Sequence, residues 1–308
     1  MSKVSVIGAG NVGATVAKRL LEKDLADVVL LDIVEGMPQG KALDMAHSAN
    51  VLGFNTRITG TNDYLDTAGS DVVIITSGAA RKPGMTRDQL TGINADIVSE
   101  VVSNVAERSP DAIILMVTNP VDAMTYLALK KSQFEHRRVI GLSGVLDSAR
   151  MAYLISKELK VPVTDVTAYA LGEHGQGMVI LPRFTTVRGV PLTKMLPDSV
   201  ISNIVERTIG SGAEVVSLVK SSSAFYAPSA AVFKMAEAII TNSQQVLPCA
   251  VYLDGEYGLR DVVLGVPVKL GSGGVESIIQ LELSPGEKKQ MAASARSVKK
   301  TIKNAGIS

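Results

Sequence analysis

The sequence predicts an α/β protein in which a doubly wound parallel sheet is followed by an α+β domain. Three observations predict it: short apolar runs that alternate with helical patterns, a glycine-rich turn between the first strand and the first helix, and a change of rhythm after about Gly144. The 308 residues suffice for two domains of ordinary size, and the change of rhythm places them at 1–143 and 144–308.

Val4-Ser5-Val6-Ile7 reads as the first strand and residues 12–22 as the first helix. Val28-Val29-Leu30-Leu31 is a second strand that ends on Asp32. Val72-Val73-Ile74-Ile75 and Ile113-Ile114-Leu115-Met116-Val117 are two more, separated by a helical stretch over 88–107, and Val139-Ile140 closes the series. Unbroken apolar runs suit strands covered on both faces. Strand, helix and strand in repetition imply right-handed crossovers with helices on both sides of a parallel sheet. Beyond residue 144, helical patterns over 146–159, 198–220 and 230–241 mix with extended segments over 246–253 and 262–270. The last helix has a clear start: Ser284-Pro285-Gly286-Glu287 combines an N-cap serine, a proline at the first helical position and a capping-box glutamate. Its Met291, Ala295, Val298 and Ile302 share one face, and its lysines form a solvated one.

A net charge of +1 provides no global field for nucleic acid or an anionic membrane. The absence of Trp and an aromatic content of 4% argue further against base stacking. Cys249 is the only cysteine, so an intrachain disulfide is excluded and a reducing compartment is expected. Met1-Ser2-Lys3 runs straight into a strand without the layout of a signal peptide. No apolar run approaches the roughly 20 residues of a membrane helix. The expectation is a soluble cytoplasmic enzyme with a small-molecule substrate and no metal, nucleic-acid or membrane partner.

Gly8-Ala9-Gly10-Asn11-Val12-Gly13 follows the first strand directly and opens the first helix. Gly8 permits the turn, Gly10 lets the backbone approach a pyrophosphate, and Gly13 allows helix and strand to pack closely. The helix N-terminus offers free N–H groups and a positive dipole end. With Asp32 at the end of the second strand, this is the fingerprint of a Rossmann-type dinucleotide-binding domain. The Asp32 carboxylate can accept hydrogen bonds from ribose hydroxyls and would repel a 2′-phosphate. Ile33, Val34 and Glu35 offer no cation to neutralise one, so NAD is favoured over NADP.

Charged residues gather at the ends of elements. Arg81-Lys82-Pro83-Gly84-Met85-Thr86-Arg87 follows the fourth strand, where loops border the ligand crevice of an open sheet, and its Pro and Gly suggest a hinged lid. A solvated basic loop is the alternative. Thr118-Asn119-Pro120 follows the fifth strand, and Asn119 either caps a helix or binds ligand. Asp147 and Arg150 open a helix at ion-pair spacing. Of three histidines, His47 falls in a helical pattern and His136 in a charged stretch, whereas His174 sits in Leu171-Gly172-Glu173-His174-Gly175-Gln176-Gly177 with glycines that leave room for a substrate.

Taken together, GAGNVG with Asp32, SGAARKPGMTR, VTNPVD, SGVLDSAR and GEHG, in this order and spacing, resemble the lactate/malate dehydrogenase superfamily and within it the lactate-dehydrogenase-like malate dehydrogenases. The resemblance covers essentially the whole chain and departs at Gln176, where the family usually has Asp. It implies NAD-dependent oxidation of (S)-malate to oxaloacetate by hydride transfer. His174 would be the general acid/base, Asp147 its orienting carboxylate, and Arg87 the group that polarises the C2 oxygen. Arg150 would grip the C1 carboxylate, Asn119 the substrate oxygen and Arg81 the C4 carboxylate, the last being the family's mark of malate over lactate enzymes. Asn94, Val117, Thr118 and Asn119 would join Gly8, Ala9, Gly10, Asn11, Val12, Gly13 and Asp32 at the cofactor. Lactate dehydrogenase and a non-catalytic NAD-binding protein are the alternatives. Ala42, Met45, Ala46 and Ala49, on the helix after Gly40, fall on one face that either packs into the core or pairs subunits; the resemblance implies the latter, in a homodimer or homotetramer.

Overall fold

The apolar runs are strands buried on both faces. The computed structural model of the chain describes residues 2–79 and 86–307. Its first half orders strands β1 (Lys3–Ile7), β2 (Asp27–Leu31), β3 (Ile58–Thr61), β4 (Val72–Ile75), β5 (Ile113–Met116) and β6 (Val139–Gly141) as β3-β2-β1-β4-β5-β6, all parallel. Every residue of β4 and β5 is buried, as two covering helical layers require. The connections carry helices α1 (Asn11–Glu22), α2 (Met37–His47), α3 (Ala49–Leu52), α4 (Arg87–Arg108) and α5 (Val121–Ser132). The order reverses between β1 and β4, which opens the ligand crevice at their carboxyl ends.

Two of these elements escape the periodicity argument. Strand β3 reads Ile58-Thr59-Gly60-Thr61 and lies at the sheet edge, half-buried, without an apolar run. Helix α5 is buried nearly all round, so it shows little amphipathic contrast.

The second half contains α6 (Gly144–Leu159), β7 (Val166–Thr167), β8 (Ala170–Gly172), β9 (Met178–Ile180), β10 (Thr186–Val187), β11 (Val190–Pro191), α7 (Asp198–Val219), α8 (Tyr226–Ile240), β12 (Gln245–Asp254), β13 (Arg260–Gly271), β14 (Gly274–Ile278) and α9 (Pro285–Asn304). The sheet does not stop at the middle of the chain. Gly141 of β6 pairs with Ala250 of β12, β12 pairs antiparallel with β13, and β8 and β9 continue the order beyond. An exposed edge at β6 would leave unpaired backbone groups, and the long β12–β13 hairpin covers it. Strands β7, β10 and β11 form a separate small sheet.

One apolar core follows the large sheet, and a second joins α6, α7 and the small sheet through Met151, Ile155, Leu192, Ile201 and Ile204. Helix α6 belongs to both, since its Leu146 packs into the first and its Met151 and Ile155 into the second. Each such fully buried side chain contributes roughly 1.5–3 kcal/mol, so α6 is a firm base for the polar residues it carries. Helix α9 begins with the expected capping box: Ser284 Oγ accepts the Glu287 N–H and Glu287 Oε2 accepts the Ser284 N–H. Met291, Ala295, Val298 and Ile302 are buried.

The expected pairing face of the helix after Gly40 is turned only partly inward. Ala42 is buried and Met45 and Ala49 pack half-buried against the protein's own core, whereas Ala46 is exposed, as are Leu43, Val51 and Leu52 of α2 and α3. The three-to-four-residue spacing of alanines marks one helix face without saying what covers it. Among the described residues no helix is long and apolar enough to cross a membrane, and no group of His, Cys, Asp and Glu could hold a metal ion.

Candidate active site

The glycine turn after β1 is held by the end of β4. Gly8 has φ +106°, and a side chain there would also meet Thr76 Oγ1 at 2.7 Å and the Ser77 nitrogen at 2.8 Å. A side chain at Gly13 would run into the Gly8 carbonyl oxygen, so α1 could not lie so close to its strand. Gly10 is the N-cap of α1; no acid occupies the helix's first turn, and among the described residues no side chain caps it and no atom lies within 4 Å of where a Gly10 Cβ would be. Uncapped N–H groups beside open space are a cradle that fits a pyrophosphate. Asn11 is exposed and Val12 half-buried, with the Val12 carbonyl accepting from Ser229 Oγ of α8 at 3.2 Å. Asp32 reaches the same turn: Oδ2 accepts the Ala9 N–H at 2.7 Å and Oδ1 the Val34 N–H at 3.0 Å. Lys41 of α2 donates to the Ala9 carbonyl at 2.5 Å, so this one peptide segment is gripped by an anion and a cation. Sequence reasoning missed Lys41, which no local pattern ties to the glycines.

The ends of β4 and β5 are joined by one carboxamide. Asn94 of α4 is buried; its Oδ1 accepts the Ala79 N–H at 2.8 Å and its Nδ2 donates to the Asn119 carbonyl at 2.8 Å. The Val117 N–H bonds to Ile75, and Thr118 Oγ1 donates to the Ser77 carbonyl at 2.7 Å, which locks the two strand ends together. Asn119 is exposed and joined to Pro120 by a cis peptide; Pro120, not Asn119, is the N-cap of α5, without a side-chain cap bond.

The acid/base cluster comes from three elements. Helix α6 places Asp147 and Arg150 one turn apart, and the loop after β8 brings His174 to them. Asp147 Oδ2 lies 2.8 Å from His174 Nδ1, and its Oδ1 accepts from the Arg150 guanidinium at 3.1 Å. The Asp147 side chain is 2% exposed, while His174 and Arg150 each keep 16%, so a buried anion supports two cation-forming groups with open faces. A carboxylate only accepts, which puts the neutral ring's proton on Nδ1 and leaves Nε2 as the basic atom. Burial works against the charged ring, but the charge and hydrogen bond of Asp147 and the charge of Asp122 outweigh it and the opposing Arg150, and the imidazole is held above its ordinary range. Beside Arg150 stands Gly212 of α7, which leaves the guanidinium uncrowded. Gln176, the departure from the family pattern, is exposed.

The histidine loop has two further anchors that the sequence did not single out. Ser294 Oγ of α9 accepts the Glu173 N–H at 2.6 Å, and Asp122 Oδ2 of α5 accepts the His174 N–H at 2.8 Å. Ser294 lies three residues after Met291, on the apolar face of its helix, which was the available signal. The other two histidines stay outside the cluster: His47 is exposed, and His136 stacks on Tyr252 at 4.3 Å between ring centroids. Arg81 lies outside the described residues. Arg87 is the first residue of α4, within the Thr86–Gln89 capping box, and its backbone alone is described.

Comparisons with known proteins cover nearly the whole chain. The model of the lactate/malate dehydrogenase NAD binding domain matches residues 2–141, and that of the lactate/malate dehydrogenase alpha/beta C-terminal domain matches 144–306. The chain is 56% identical over 302 residues to a malate dehydrogenase of Dehalococcoides mccartyi and 52% identical over 302 residues to one of Methanosarcina barkeri, covering 98% of each chain in both cases. The 1.55 Å structure of malate dehydrogenase from Salinibacter ruber is 50% identical and superposes with a TM-score of 0.94, over 99% of this chain and 97% of that one. The lactate dehydrogenase of Cryptosporidium parvum, complexed with lactic acid and the cofactor, is 39% identical with a TM-score of 0.96, over 100% of this chain and 98% of that one.

Proposed function

The chain belongs to the lactate/malate dehydrogenase family, and on that premise we propose that it is an NAD-dependent malate dehydrogenase interconverting (S)-malate and oxaloacetate. The observation that carries the chemistry is Asp147 bonded at once to His174 and Arg150.

In this reading the glycine turn and the start of α1 hold the pyrophosphate of NAD, Asp32 takes the ribose hydroxyls and disfavours a 2′-phosphate, and Asn94, Val117, Thr118 and Asn119 border the nicotinamide. When bound, NAD supplies the acceptor or donor of the hydride at C2. His174 Nε2 takes the C2 hydroxyl proton in oxidation and returns it in reduction. Asp147 keeps the ring in the tautomer that makes this possible and favours its protonated form. Arg150 pairs with the C1 carboxylate as a planar two-bond fork. Arg87 polarises the C2 oxygen, Asn119 bonds to it, and Arg81 pairs with the C4 carboxylate. A buried carboxylate without a cation would be strongly disfavoured, as would an unpaired arginine against a methyl group, so Arg81 discriminates in both directions. The division of the chain at residue 144 is part of the same proposal, with cofactor residues before it and His174, Asp147 and Arg150 after it.

Lactate oxidation is the second reading, favoured by the close superposition on a lactate dehydrogenase. It is the weaker one, because the relatives above 50% identity are named malate dehydrogenases. Steady-state kcat/KM for oxaloacetate and pyruvate, each with NADH and NADPH, tests the proposal. Oxaloacetate with NADH should dominate, and a preference for pyruvate would overturn the malate assignment. We also propose a cytoplasmic homodimer or homotetramer, with the lone buried Cys249 and the exposed Leu43, Val51 and Leu52 as support.

A further inference from the structure

The His174 loop is tied down by side chains from three helices: Ser294 of α9, Asp122 of α5 and Asp147 of α6. Asp122 is the unusual member. It is 3% exposed, it spends one oxygen on a single backbone N–H, and its Oδ1 is buried without a partner among the described residues. Holding one amide needs only a neutral acceptor, as Ser294 shows at the neighbouring peptide. A carboxylate in that position adds a desolvation cost with no second bond to offset it. Where it ionises, its charge acts on the groups nearest to it. Among the described residues, the ionisable groups that act most on Asp122 are His174 and Glu173 on the loop and Asp147 on α6, and those that act most on His174 are Asp147, Asp122 and Arg150. Asp122 also sits in the first turn of α5, three residues past Asn119, which precedes the Pro120 N-cap, so the histidine loop is gripped just beyond the bend that presents Asn119.

We propose that Asp122 is a positioning residue for His174: it fixes the histidine loop on the first turn of α5, next to the bend that carries Asn119, and its charge, added to that of Asp147, holds the imidazole protonated. The role deepens the malate dehydrogenase reading and rests on it for the catalytic use of His174. Burial pushes the Asp122 carboxyl up to about 7, against the hydrogen bond from the His174 N–H and the His174 charge, which lower it. Asp122 therefore reaches its charged form over the range in which His174 works.

The test is histidine NMR on the intact protein labelled with 13C-histidine. Only three histidines are present, and His174→Gln assigns the third signal. In Asp122→Asn the acceptor remains and the charge is gone. The His174 titration midpoint should fall by about one pH unit or more, roughly tenfold in its protonation equilibrium, while His47 and His136 stay in place. Ser294→Ala removes a neutral anchor and should leave the midpoint alone. In turnover, the oxaloacetate kcat/KM profile of Asp122→Asn should shift to lower pH at wild-type NADH affinity. Asp122→Ala should lose roughly tenfold more kcat than Asn, because the anchor goes as well. A His174 midpoint that does not move in Asp122→Asn, in a protein that melts as wild type, overturns the proposal; so does an Asn variant no better than Ala. Wild-type protein that reduces neither oxaloacetate nor pyruvate would instead refute the functional reading, and the NMR titration would still decide the electrostatic role of Asp122.

Discussion

Asp147→Asn is the sharpest single test of the cluster. The carboxylate gives one oxygen to His174 and the other to Arg150, at 2.8 and 3.1 Å. A carboxamide has one oxygen and one NH2, so one of the two donors must meet another donor. The charge is lost as well. With charge centres ~4 Å apart and an effective dielectric of ~20, the imidazolium loses about 4 kcal/mol of attraction, an upper figure because the variant sheds its own desolvation cost. At about 1.4 kcal/mol per tenfold, oxaloacetate kcat/KM at neutral pH should fall roughly a hundred- to a thousandfold. The sign of the pH effect follows from the raised His174 pKa. Reduction needs imidazolium and is supported up to the raised pKa; without Asp147 that limb should move to lower pH. If cofactor affinities are unchanged, the equilibrium constant fixes the ratio of the two directions at each pH, so malate oxidation must fall by the same factor there. The assay is initial-rate kinetics in both directions from pH 5 to 10, with NADH affinity from its fluorescence. A loss below tenfold with an unmoved profile would refute the electrostatic argument, and a parallel loss of NADH binding would make Asp147 a structural residue.

Asp32→Ser should narrow the NAD-to-NADP ratio of kcat/KM mainly by easing rejection of NADP, and an unchanged ratio would mean another group reads the ribose. Arg81→Gln should cost about 2–5 kcal/mol, roughly thirty- to several-thousandfold, in oxaloacetate kcat/KM while pyruvate turnover rises. Arg150→Gln should impair both acids, since both carry the C1 carboxylate. Stability should also depend on Asp122. Its folded-state pKa of about 7 exceeds the unfolded value near 4, so it favours folding fully below about pH 4 and loses that contribution as pH rises through 7. The melting temperature of Asp122→Asn should therefore gain on wild type between pH 5 and pH 8, and a constant difference would count against the burial argument. Ser284→Ala should lower stability by about 1 kcal/mol through loss of the α9 cap, read from urea unfolding.

The sequence by itself determined whatever depends on neighbours along the chain. Residues 4–7, 28–31 and 72–75 are apolar at every position, or nearly so, because strands buried on both faces admit little else, and each is a strand. Gly8 and Gly13 stand where backbone must turn or pack without a Cβ, and the Ser284 capping box is a local hydrogen-bond circuit. Thr86-Arg87-Asp88-Gln89 carries the same kind of signal and was there to be read. Only the tertiary structure decided what meets across the fold. Asp122 and His174 are 52 residues apart, Glu173 and Ser294 are 121 apart, and Lys41 reaches Ala9 across 32. Gly141 and Ala250 join the two halves into one sheet, and of the two α2 alanines Ala42 is buried while Ala46 is exposed. Periodicity records how exposed a side chain is, but not the identity of its neighbour; a buried acceptor and the N–H it satisfies share no spacing, and only the packed chain brings them to 2.8 Å.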